Sequence, residues 1–362
     1  MDKYTILRMF LSLGTQVDKD ALDILVASQD VLEKALKIEK NKLPSVITSE
    51  FLKTLSQITL PDEKISINQL SRVLNYRYEF LRNILAGKTE LTNLVSINKV
   101  SERLKQFSVI GVVVSKTDML TVEDTTGQTD FLVDKESAKC IIEDEVIGIV
   151  CERHGETNYV KSIVYPDIPL RKETIKSESL ENFIFISDIH MDSPKFNENY
   201  YKNLLNWSEE QKNLKIFVIG GISKKQDDIT RFLSDIHRPI QNYSEETISK
   251  SLISTKVDNI QIATTYGTFL QYYMNLWGTT ADTTLVNLIK KRNLNPLITP
   301  DFYDNAFLLE NIPDILVVGG VGKAEFTNYK GTTILTNGSF LTEPMYWLIN
   351  LRTRETFKTD FS

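Results

Sequence analysis

The chain of 362 residues has only two cysteines and three histidines. Cys140 and Cys151 support neither a disulfide framework nor a cysteine-based zinc cluster, so a reducing compartment is expected. His154, His190 and His237 leave little imidazole with which to build a metal centre. No apolar run reaches the length of a membrane span, and the opening MDKYTILRMF has no signal-peptide layout. Low-complexity tracts and internal repeats are missing as well. Positive charge is not in excess. The 42 Lys and Arg against 48 Asp and Glu give a net charge of −6, which excludes a globally basic nucleic-acid-coating protein but not a local basic patch. What the chain does have, 41% hydrophobic residues over this length, is enough for two or three domains with their own cores.

Residues 4 to 39 show helical periodicity: Ile6, Leu7, Phe10 and Leu11, then Ala21, Leu22, Ile24 and Leu25, then Val31, Leu32, Ala35 and Leu36. Three short helices around a small core are predicted, a form that serves equally as a docking module or as a helical domain with no partner. Pro44 and Pro61 mark residues 41 to 66 as a linker with one short helix near Phe51 to Leu55. The stretch 68 to 88 carries a long apolar stripe closed by Gly87, with Arg72, Arg77, Arg82 and Lys88 as a basic edge that reads chiefly as a solvated helix face. From Phe107 the period changes to two. Five short strands and a helix near 135 to 141 then predict a small closed or partly closed barrel of the oligonucleotide-binding type. The barrel has no evident row of exposed aromatics for base stacking, and Phe131 and Tyr159 read as core residues.

The segment FIFISDIHMDSPKF, residues 183 to 196, resembles the opening of a metal-dependent phosphoesterase: an apolar strand delivers Asp188 and His190 at its carboxyl end. A two-metal hydrolase needs several carboxylate, imidazole and amide ligands to polarise the phosphate and activate water. The next strand, KIFVIGG, ends in Gly220 and Gly221 without an acid. Where an Asn-His pair would be needed the chain has TTYGTF, and GGVGK offers Gly320 and Gly322 in place of imidazoles. Asp188 is therefore expected to cap the following helix or to accept backbone hydrogen bonds in the turn. His190 is expected to be a satisfied loop or core residue. Asn337, Gly338 and Ser339 read as a tight corner rather than a nucleophile. Asp227, Asp228 and Asp235 read as helix-surface residues. Apolar strands alternating with helices here predict a layered α/β core.

These motifs, taken in order, resemble the small (B) subunits of replicative DNA polymerases, and above all the archaeal family D small subunit. The resemblance is carried by FLSLGTQVDKDALDIL, RYEFLRNIL, the barrel segment ending in YPDIPL, FISDIHMDS, and IPDILVVGGVGKAEFTNYKGTTILTNGSF. It implies a multidomain α+β chain. The parts are an N-terminal helical module (1–44), a linker and connecting helix (45–100), an OB-fold barrel (101–169) and a calcineurin-like phosphoesterase α/β domain (170–362). In active archaeal members the family implies a 3′-to-5′ proofreading exonuclease. Here Asp188 and His190 match the first motif, whereas Gly221, Gly320 and Gly322 stand where ligands belong. The resemblance thus implies a vestigial site with no metal or other cofactor, and a non-catalytic accessory subunit. Its implied partner is the catalytic polymerase chain, through that chain's C-terminal region, with primer-template DNA met mainly through the complex and no membrane contact. The implied location is cytoplasmic in a prokaryote or nuclear in a eukaryote. Three other functions stay open: an active metal-dependent exonuclease with unusual ligands, a single-stranded nucleic-acid binding module, and an unrelated structural adaptor.

Overall fold

The computed structural model describes residues 3–12, 15–27, 35, 46–49, 52, 67–171, 173–244, 248–299 and 304–362. The chain divides into two compact units, Met1–Gln69 and Leu70–Ser362. In the first, helices Lys3–Ser12 and Lys19–Ala27 follow the predicted stripes and bury Ile6, Phe10, Ala21 and Leu25 together. Two short parallel strands, β1 (Gln16–Val17) and β2 (Val46–Ile47), add Ile47 to that core, a pairing with no signal in the sequence pattern. The third predicted helix, the linker prolines and the helix near Phe51 to Leu55 fall largely outside the described residues.

The helix Ile67–Ala86, which belongs to the second unit from Leu70 onward, buries Tyr78, Leu81 and Leu85. Arg77 departs from the expected basic edge. It is only 2% exposed, and its guanidinium donates to Pro296 O (2.8 Å), Asp304 O (2.9 Å) and Asn305 Oδ1 (3.0 Å). Satisfying three acceptors is what makes burial of this cation tolerable.

An antiparallel five-stranded sheet follows, in the order β5 (Gly127–Phe131), β4 (Leu120–Asp124), β3 (Gln106–Lys116), β6 (Val146–His154), β7 (Thr157–Val164). Its two edges meet at Leu132 and Tyr159. Leu132 N donates to Asn158 O and Val160 N donates to Leu132 O, both at 2.8 Å. Phe131 is buried in the enclosed core as expected, but Tyr159 is 40% exposed, because its strand position faces away from that core.

The remaining strands form two mixed five-stranded sheets. One has the order β10 (Ile240–Ser244), β9 (Leu214–Gly220), β8 (Asn182–Ser187), β16 (Met345–Asn350), β17 (Thr356–Asp360). The other has β11 (Ile253–Val257), β12 (Ile260–Tyr266), β13 (Ile315–Gly319), β15 (Thr332–Thr336), β14 (Phe326–Tyr329). The run FIFI explains itself here. Phe183 and Phe185 turn toward the core between the sheets, where they meet Phe217 with ring centroids 4.8 and 4.9 Å away. Ile184 and Ile186 turn toward the helices Glu198–Glu210 and Gln226–Asp235. In β13, Ile315 and Val317 share the inter-sheet core, while Leu316 and Val318 face the helices Leu270–Trp277 and Ala281–Lys290. Strands buried on both faces must be apolar throughout, which yields a helix–sheet–sheet–helix stack.

Barrel and stack are tied by a buried ion pair. Lys291 Nζ lies 2.5 Å from Glu145 Oε2, each side chain being 2% exposed, though that oxygen makes no aligned hydrogen bond. Lys291 Nζ also donates to Cys140 O at 2.7 Å and stands 4.3 Å from the Tyr165 ring centroid. Burial pushes the Glu145 carboxyl up and the Lys291 ammonium down, and each partner's charge opposes the other's shift. Among the described residues no helix is long and apolar enough to cross a membrane.

Candidate functional site

The parallel strands β8, β9, β12 and β13 end at one rim of the stack, where ligand sites of open α/β sheets form. Asp188 follows β8 with φ 55°, and its N–H donates to Ile219 O at 3.0 Å. His190 has φ 42°, with Nε2 3.6 Å from Asp188 Oδ1. This is too long for a hydrogen bond, and Asp188 Oδ1 is buried without a hydrogen-bond partner. Of the two roles expected for Asp188, capping the following helix is not the one taken. The next helix begins at Glu198, and its cap is Asn197, whose side chain accepts from Asn199 N at 2.9 Å. The reason is local: residues 188 to 196 form an irregular turn held to the β9 loop, with Met191 N donating to Ile222 O at 2.8 Å.

The glycines identified from the sequence surround this pair, and a tyrosine fills the space between them. A Cβ built on Gly320, where φ is 70°, would lie 2.4 Å from Tyr266 Cζ and 2.5 Å from Tyr266 Cε2. One on Gly220 would lie 2.8 Å from Tyr266 Cε2 and 2.3 Å from Asp188 Oδ1. The Tyr266 ring is therefore wedged between the β9 and β13 termini, against backbone that only glycine permits. At Gly221 the added atom would meet His190 Cε1 at 3.5 Å. Gly322 is not part of this contact: a Cβ there would meet nothing within 4 Å. Sequence reasoning treated TTYGTF only as a missing ligand pair. The signal for the ring was the two Gly-Gly steps, 220–221 and 319–320, on strands that end at the same rim.

The surrounding polar groups brace the turn. Asn337 Nδ2 donates to Phe185 O at 2.9 Å, while its Oδ1 is buried without a partner, as is Ser187 Oγ. Ser339 Oγ lies 3.5 Å from Asp188 O and accepts from Leu341 N at 3.3 Å, which is the geometry of a tight corner. Tyr346 OH donates to Ser187 O at 3.3 Å. Burial, with the Asp188 charge adding to it, pushes that phenol well above its ordinary pKa and keeps it a donor.

The other histidines lie elsewhere. His154 ends β6, 3.9 Å from Glu152 Oε1. His237 is exposed in a cavity lined by Asn213 and Leu214, at the opposite end of β9. Asp227, Asp228 and Asp235 lie on the helix Gln226–Asp235 as expected. Among the described residues no group of three or more His, Cys, Asp or Glu side chains could hold a metal ion. One carboxylate and one imidazole beside a tyrosine ring do not fit a two-metal centre, which needs bridging and terminal ligands on both ions.

No family model matches the chain. Among curated proteins it is similar to the DNA polymerase II small subunit of Methanothermobacter thermautotrophicus, at 24% identity over 354 residues covering 76% of this chain and 73% of the relative. It is also similar to that of Thermoplasma acidophilum, at 24% over 247 residues covering 61% of this chain and 51% of the relative. Against that of Pyrococcus furiosus the identity is 30% over 159 residues, 40% of this chain and 26% of the relative. The chain thus spans about half, or less, of the length of the second and third of these relatives. Among solved structures, a Vps29 variant from Entamoeba histolytica aligns over 50% of this chain and 99% of its own, at 15% identity and a TM-score of 0.33. An archaeal phosphodiesterase aligns over 49% and 99% respectively, at 13% identity and a TM-score of 0.27. The family that the sequence motifs resemble is the one these curated relatives carry in their names: the chain is similar to the small subunits of archaeal DNA polymerase II.

Proposed function

We propose that this chain is a non-catalytic accessory subunit of a DNA polymerase, acting as a scaffold for the catalytic chain. The similarity to named small subunits, extending over 76% of the chain for the Methanothermobacter relative, carries the polymerase part of this reading. The wedge of Tyr266 against Gly320 and Gly220 supports the non-catalytic part. In this reading Asp188, His190, Gly221, Gly320 and Gly322 are the remains of a phosphoesterase motif, and the rim keeps its fold because the fold is what the partner needs. Residues 101–169 form an OB-fold barrel, a reading supported by the strand order and by the Leu132–Tyr159 bridge that joins its edges. Residues 170–362 form an inactivated calcineurin-like phosphoesterase domain, and residues 1–44 a separate helical module with a regulatory or second-contact role. The catalytic partner binds through its C-terminal region to the barrel and stack, which the Lys291–Glu145 pair holds as one surface. Primer-template DNA is met mainly through the complex.

Co-expression of the full chain with the polymerase catalytic chain of its host, followed by size-exclusion chromatography, tests this. A stable complex that survives Asp188→Ala and His190→Ala is expected. Failure of a folded chain to join any replicative polymerase subunit would remove the proposal.

A further inference from the structure

We infer that the cleft between the helix Ile67–Ala86 and the barrel is a docking groove for a partner-protein segment in which lysine or arginine alternates with aliphatic side chains. The cleft has a volume of about 410 Å³, and Leu74, Tyr78, Val112 and Val114 supply its apolar wall. Val114 is 43% exposed, on the face of its strand opposite the buried Val113. A second cavity of about 170 Å³ shares Tyr78, Asp124 and Thr125 with the first and continues to Leu94, itself exposed. The two adjoin at Tyr78, with aliphatic surface uncovered at Val114 in one and Leu94 in the other.

The rim determines what can lie there. Glu123, Asp124 and Asp144 line the larger cavity against Arg77, and the smaller one adds Arg82, whose guanidinium lies 3.7 Å from Glu79 Oε2. Arg77 is committed to two carbonyls and Asn305. Asp124 accepts from Ile97 N, from Thr126 N and Oγ1 and from Gly127 N, so its oxygens are filled. Asp144 Oδ2 accepts from Ile298 N at 3.0 Å. Glu123 is exposed and forms no ion pair among the described residues. Hydrogen bonds to N–H groups do not cancel these charges, so the rim keeps a negative potential over an apolar wall. A nucleic-acid backbone is repelled by such a rim. A peptide that places aliphatic side chains on Leu74, Val112 and Val114, and an ammonium or guanidinium near Glu123 and Asp144, matches both features. This inference does not rest on the polymerase reading, since any partner offering that segment satisfies it.

Fluorescence anisotropy of the full chain tests it, with a labelled peptide of alternating Leu and Lys and a second of alternating Leu and Glu. The Leu-Lys probe should bind saturably, and the Leu-Glu probe about tenfold more weakly or not at all. Glu123→Lys and Val114→Asp should each weaken the Leu-Lys probe about tenfold, and Glu123→Gln by less, because it removes charge without reversing it. Asp227→Lys, at an exposed carboxylate on the helix Gln226–Asp235, should leave binding unchanged. Both 114 and 123 are exposed, and unaltered circular dichroism melts would show that these variants are folded. Equal weakening by Asp227→Lys would mean general attraction to an acidic chain and would overturn the inference. Unchanged affinity in folded Glu123→Lys would overturn it too. So would self-association of the parent that Glu123→Lys abolishes, which would give the groove to a second copy of the chain.

Discussion

Gly320→His asks whether the Tyr266 ring occupies the space a metal ligand would need. At position 320 a β-carbon would lie 2.4 Å from Tyr266 Cζ, 2.5 Å from Cε2 and 2.8 Å from Oη. The ring is rigid and also lies close to Gly220, where a β-carbon would stand 2.8 Å from Cε2, so a small rotation gives it little room. Overpacking of this kind costs about 1–3 kcal/mol. The left-handed backbone at φ 70° adds about 1–2 kcal/mol for any residue other than glycine. Together these predict a loss of about 2–5 kcal/mol in unfolding free energy for Gly320→His. In a Tyr266→Asn background only the backbone cost remains, so the double-mutant cycle should show a coupling of about 1–3 kcal/mol in favour of the pair. Tyr266→Phe keeps the ring and should keep the penalty. Urea unfolding of the parent, the two single variants and the double variant supplies the cycle, provided the m-values agree. Costs that add to within about 0.5 kcal/mol would show that the ring and residue 320 do not compete, and the account of the rim would be wrong.

The Lys291–Glu145 pair should behave as a unit. Lys291→Met alone should cost about 3–5 kcal/mol by stranding the Glu145 charge, while Lys291→Met with Glu145→Leu should recover most of it; equal losses in the two by thermal or urea unfolding would contradict this. Burial pushes the Cys151 thiol up to about 12, so at pH 8 an aromatic disulfide reagent should label Cys140 first and Cys151 only as the chain unfolds. Two equally fast thiols in the folded chain would refute the placement of Cys151.

Much of the stack was legible because burial on both faces leaves an uninterrupted apolar run, as in FIFI and ILVV. That Gly221 and Gly320 carry no donor can be read from the sequence alone, whatever their surroundings. What filled the gap was not legible. Tyr266 meets Gly220 and Gly320 only because three strands end at one rim, and a linear motif scan records the tyrosine as a mismatch and stops. The role of Arg77 was hidden for a similar reason: its acceptors, Pro296 O, Asp304 O and Asn305, lie far away in the sequence, so helix periodicity left it among the solvated charges. Asp188 was expected either to cap the following helix or to accept backbone hydrogen bonds in the turn. Only the irregular turn from 188 to 196 shows that it has no helix to cap and that Oδ1 is left without a hydrogen bond.

The central claim is that this rim has kept its fold and lost its metal chemistry, and manganese binding tests it most directly. Electron paramagnetic resonance of the full chain titrated with Mn²⁺ separates bound from free ion without requiring any substrate. The account predicts a spectrum of free aqueous ion across the titration, with no difference between the parent and Asp188→Ala. A bound signal at two sites per chain, abolished by Asp188→Ala and by His190→Ala while both variants stay folded, would contradict it.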